Sequence, residues 1–104
     1  MKAQAFKEHE LLIMYSALTI TGKMVRDMLG RTVPEGKTYA TAHLHIVNEI
    51  MKQFKAIIKD DKIEGTHELK LGTHEMKLIL DNIEAREWAP VDADAVLAVK
   101  AKLA

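Results

Sequence analysis

The stretch Glu10–Leu29, ELLIMYSALTITGKMVRDML, limits what this chain can become more than any other. Read as a helix, it carries two apolar stripes. Ile13, Ala17, Ile20, Met24 and Met28 make one; Leu11, Tyr15, Leu18, Val25 and Leu29 make the other. Both have the three-and-four spacing of a helix face. A surface helix needs one stripe about 100° wide, whereas a helix apolar on two sides must be covered on both. The run is too short and too interrupted for a bilayer span, which takes about 20 apolar residues. It predicts the central helix of a small bundle, packed by sister helices or by a second copy of itself.

A chain of 104 residues has the size of one domain, here residues 1–104. It can bury roughly 65% of its unfolded surface, enough for one core with little margin. Charged residues are 29% and apolar ones 48%, and two Pro with five Gly argue against disorder. With no Cys there is no disulfide framework and no thiolate chemistry. MKAQAFKEHE turns acidic and polar before any apolar run, unlike a secretory leader, so a cytoplasmic setting is expected. The formal charge is zero, which gives no general pull on nucleic acid or anionic lipid. Residues 1–62 hold ten basic and seven acidic side chains, residues 63–104 five and eight. Such a split could orient a partner or pair two copies head to tail.

Taken in order, Ala3–Leu29 reads as the first helix, closed by Gly30 in the left-handed conformation. Arg31–Lys37, with Pro34 and Gly36, reads as a turn. Thr38 would cap a second helix, Tyr39–Lys59. Tyr39, His43, Ile46, Val47, Ile50, Phe54, Ile57 and Ile58 share one face of it. Ala42–Ile46 also alternates apolar and polar, the strand period, but the helical pattern downstream outweighs it. A short last helix, Val91–Leu103, follows Trp88-Ala89-Pro90, with Asp92 or Asp94 at its start and Lys100 and Lys102 at its end.

Between these lies a tandem heptad, GTHELKL at 65–71 and GTHEMKL at 72–78, differing only in Leu69 against Met76. Seven residues is nearly two helical turns, so one continuous helix would stack like on like. The alternative leaves Ile63–Leu71 extended and lets Thr73 cap a shorter helix. The third helix is therefore expected from Thr66 or Thr73 to Glu87. The fold this predicts is all-α: a compact antiparallel bundle of about four helices, the first two long and the last short.

Candidate chemistry is sparse. Three His-Glu pairs occur, at His9, His67 and His74, but adjacent residues on a helix point about 100° apart. Glu64-x-x-His67 has the spacing of helical di-metal sites, which need a second such motif and two further Glu. No nucleophile elbow, phosphate loop or dinucleotide fingerprint is present. No catalytic residue, cofactor or metal ligand is therefore assigned. Lys52, Lys55, Lys59 and Lys62 fall on one helical arc and could track phosphates, though no aromatic interleaves them to stack bases.

The reading that follows is a small non-enzymatic interaction module: an adaptor, regulator or inhibitor that docks another protein or self-associates through its first helix. Leu11, Tyr15, Leu18, Val25 and Trp88 are its candidate interface. Trp is over-represented in binding hot spots, and flexible Met, here six, suits adaptable surfaces. A nucleic-acid binder using Lys52, Lys55, Lys59 and Lys62 is the rival, and a His-based metal protein the third possibility. No membrane association is expected.

Overall fold

A computed structural model describes residues 2–104, and it is mixed α/β, which overturns the all-α bundle. The order is β1 (Lys2–Phe6), α1 (Glu8–Thr19), β2 (Ile20–Arg26), β3 (Thr32–Gly36), α2 (Thr41–Ile57), β4 (His67–Leu71), α3 (Thr73–Glu84) and α4 (Ala93–Leu103). A single 3-10 turn, Pro90–Asp92, leads into α4. The strands form two separate antiparallel pairs, β1 with β4 and β2 with β3.

The expected first helix survives only in its apolar centre. Leu11, Ile13, Met14, Ala17 and Leu18 are buried, packed by α3 and α4. Beyond Thr19 the helix stops. Thr19-Ile20-Thr21 is a β-branched run that crowds a helical turn. Gly22 then takes φ +90°, a conformation outside any right-handed helix. The stripe residues Met24, Val25, Met28 and Leu29 therefore leave the core altogether. At the other end Lys2–Phe6 is a strand, because Phe6 and Gln4 alternate inward opposite His67 and Leu69 of β4.

The tandem heptad takes both of its possible forms. GTHELKL is extended, with Leu69 and Leu71 buried at strand period against the core. GTHEMKL opens α3, with Gly72 as the residue before the first turn, and feeds Ile79 and Ile83 into the core at helical spacing. α3 ends at Glu84, three residues earlier than the sequence pattern suggests.

α2 begins at Thr41, with Ala40 in the cap position in place of Thr38. Its second half is anchored by Ile50 and Phe54, both fully buried, and Phe54 meets the Tyr15 ring edge-on at 5.4 Å. Its first half, Thr41–Glu49, is mostly exposed. The buried apolar residues form one cluster drawn from β1, α1, the second half of α2, β4, α3 and α4. No described helix is long and apolar enough to cross a membrane.

Polar contacts of Lys102 and His9 tie the chain's beginning to its end. Lys102 Nζ donates to Glu10 Oε1 at 2.6 Å and to the Ala5 carbonyl at 3.1 Å. His9 and Asp92 meet at 2.8 Å. The outer edge of β4 is closed by a side chain: the Gln53 amide donates to the Lys70 carbonyl and accepts from the Lys70 N–H, both at 2.7 Å. This blunts an edge that would otherwise offer a template for another strand.

Candidate functional site

The most unusual surface is the β2–β3 ribbon. Strand pairing sets Val25 opposite Val33, Met24 opposite Pro34 and Arg26 opposite Thr32. Beyond their mutual pairing, these strands pack chiefly through β2 against the end of α1. From Lys23 to Arg26 every residue of β2 is exposed. A seven-residue strand is about 23 Å long, so the ribbon projects as an arm. The radius of gyration, 13.9 Å, exceeds the roughly 13 Å of a rounded chain of this size, as such an arm requires.

The arm's tip is built, not frayed. Asp27 N–H donates to the Arg31 carbonyl at 2.9 Å, and Gly30 N–H to the Asp27 carbonyl at 3.0 Å. The Asp27 carboxylate accepts from Leu29 N–H, Arg31 N–H and Arg31 Nε, each at 2.9 Å. The bond from Arg31 N–H above all, then that from the Arg31 guanidinium and that from Leu29 N–H, outweigh desolvation and hold the Asp27 carboxyl below its ordinary pKa. Asp first and Gly last is the signature of the commonest tight turn, and Gly30 supplies the positive φ, +77°, that closes it. The two residues this framework holds out are Met28, fully exposed, and Leu29, 76% exposed. Met24 below them is 58% exposed. Large apolar side chains on both faces and at the end of an isolated two-stranded ribbon are an energetic cost in water.

The arm's root is secured by Arg86. Its Nη1 donates to the Ser16 carbonyl, the Ser16 hydroxyl and the Ile20 carbonyl at 3.1–3.3 Å, where α1 ends. The guanidinium lies 3.9 Å over the Trp88 ring, and Trp88 Nε1 donates to the Ile83 carbonyl. Burial lowers the Arg86 pKa, with nearby Asp92 opposing it. Gly22 is where this fits: a Cβ there would stand 3.4 Å from Arg86 Nε. Tyr39 pins the far side, donating to the Leu18 carbonyl at 2.6 Å, and burial pushes its phenol up to about 12.

The five residues expected to form an interface are not one surface. Leu11 and Leu18 are core, and Tyr15 and Trp88 are half-buried. Only Val25 is exposed, on the arm. The sequence signal for the arm was Asp27-Met28-Leu29-Gly30, a turn pattern masked by the helical spacing around it.

The lysine arc is split by the fold. Lys52 and Lys55 lie on α2, Lys52 paired with Glu49 at 3.0 Å. Lys59 and Lys62 instead bracket a reversal in which Asp60 and Asp61 both take left-handed φ, 51° and 60°. Two acids thus stand between the last two lysines. Among the histidines, His67 Nε2 is bonded to the Glu64 carbonyl at 2.7 Å, and His43, His45 and His74 are exposed. Among the described residues no group of three or more His, Cys, Asp or Glu is placed to hold a metal ion. No family model, curated protein or solved structure matches this chain.

Proposed function

We propose that this chain is a small, non-enzymatic protein-interaction module whose docking element is the β2–β3 arm. The single observation that supports this is the rigid tip holding Met28 and Leu29 in water. A bilayer would take the tip alone, whereas Met24 and Val25 lie along the arm and need cover as well. A protein surface can give both. Nucleic acid is a poorer match. The arm's Arg31 is committed to Asp27, and Glu35 on β3 adds a second negative charge. Phosphate tracking needs a longer row of free cations.

The test is a photo-crosslinking amino acid placed at position 28 or 29. Illumination should capture protein, and the captured peptides should be lost when the neighbouring tip residue becomes Glu. Crosslinking that yields lipid or nucleic acid and no protein would overturn the reading.

A further inference from the structure

Resting on that reading, we propose that the arm's occupant is a second copy of this chain. The tip of one copy seats in a groove on the body of the next. The groove is lined by Leu12, Tyr15, Ile58 and Ile63, with Asp61 and Lys62 on its rim, and has a volume of about 340 Å³. That is the small end of the range for pockets that take an apolar group, about 300–1,000 Å³. Leu12 is 44% exposed although it lies mid-helix in α1, the most apolar segment of the chain.

Three features point to self-recognition. The chain carries an apolar projection and an apolar recess, and its own arm does not fill its own groove, because Met28 and Leu29 are bare. Asp27 and Arg31 are taken up by each other, but the tip keeps Arg26 and the rim Asp61, groups of opposite sign. Arg26 has no ion-pair partner among the described residues, nor does Asp61. The formal charge of zero leaves no net repulsion between copies.

A projection and a recess at different places on one molecule are satisfied reciprocally in a two-fold dimer, each arm in the other copy's groove, or, where the geometry forbids that exchange, head to tail in a ring or a filament. The arm is the donor element and the Leu12 groove the acceptor. Every copy in the assembly uses both, except the two ends of an open chain.

The experiment uses two variants of the full chain. Met28→Glu with Leu29→Glu disables the arm and leaves the groove. Leu12→Glu disables the groove and leaves the arm. Circular dichroism and thermal unfolding check that each is folded, which the exposure of all three positions favours. Leu12→Ala, trimming the groove wall without a charge, serves if Leu12→Glu fails to fold.

Sedimentation velocity should show the unaltered chain associated, as a dimer or ring of fixed size or as a series growing with concentration. Each variant alone should be monomeric, with association weakened about 30-fold or more. Mixed one to one, the variants should form a species of two chains and stop there. An unaltered chain that stays monomeric at millimolar concentration overturns the proposal. So does a dimer indifferent to Leu12→Glu, which would mean arm-to-arm pairing. Tip crosslinks to a different protein would end self-recognition while leaving the interaction module standing.

Discussion

Replacing Lys102 by Met tests whether α4 is latched to α1 by charge. Glu10 is 5% exposed and receives hydrogen bonds from Lys102 Nζ at 2.6 Å and Lys7 N–H at 2.9 Å. Burial by itself pushes its carboxyl pKa up. The bonds from Lys102 and Lys7 and the charges of both outweigh burial and hold it below the ordinary 4.5. In the native chain the ionised Glu10 thus adds stability that is present above 4.5 and lost as pH falls through the lower folded value. Met keeps the stem of Lys102 and removes the ammonium. Burial, the largest single influence, is then opposed by Lys7 alone, and the Glu10 pKa should rise from its native value.

Breaking a fully buried ion pair from one side costs about 3–5 kcal/mol. The Lys102 side chain is 31% exposed, so water reaches this pair. The cost at pH 7.5 should be about half that, roughly 1.5–2.5 kcal/mol. The sign of its pH dependence is the sharper test. Between pH 7.5 and about 5 the native chain changes little at this site, while the cost of the substitution shrinks as Glu10 of the variant takes up its proton. The contacts of Lys102 with the Ala5 carbonyl and the Phe6 ring are lost too, but they do not titrate. Adding Glu10→Gln to the variant should recover about 1 kcal/mol at pH 7.5. Urea unfolding of the four chains of this cycle at both pH values measures all of it. A Lys102→Met cost equal at the two pH values, with nothing recovered by Glu10→Gln, would refute the latch.

Other consequences follow from single contacts. Gln53→Leu unplugs the β4 edge at Lys70 and should cost about 1–2 kcal/mol in urea unfolding; increased aggregation on heating would show the bared edge. The Tyr39 phenol, pushed up to about 12, should titrate late in an ultraviolet alkaline titration, and Tyr39→Phe should abolish that step. Because the folded value is the higher one, its contribution to stability is complete below pH 10 and fades as pH climbs toward 12. Exchanging Leu69 and Met76, so that each heptad takes the other's residue, should leave the circular dichroism spectrum unchanged. The cost should stay under about 1.5 kcal/mol, since the swap conserves volume.

That last exchange bears on what the sequence could and could not disclose. The two heptads share six of seven residues, yet one is a strand and the other a helix. No local preference can separate them. What differs is context. GTHELKL follows the Asp60-Asp61 reversal, opens on Gly65 in the left-handed conformation, and finds Lys2–Phe6 as a distant partner strand. GTHEMKL is followed by Ile79 and Ile83 at helical spacing, which continue the pattern into the core. The same ambiguity hid the arm. Met24, Val25, Met28 and Leu29 continue the stripes of Glu10–Leu29 so well that a helix accounts for all of them. The competing signals were short: the β-branched run at Thr19–Thr21, Gly22, and Asp27 with Gly30 at the corners of a turn. Those few residues decide because φ +90° at Gly22 ends a helix outright, whereas periodicity only biases one. What the pattern did convey, the burial of Leu11, Ile13, Ala17 and Leu18 and the helical second half of α2, is where local spacing and tertiary contact agree. The arm is where they disagree. Apolar spacing continues there without any core to satisfy it, and it is on this disagreement that the proposed docking role rests.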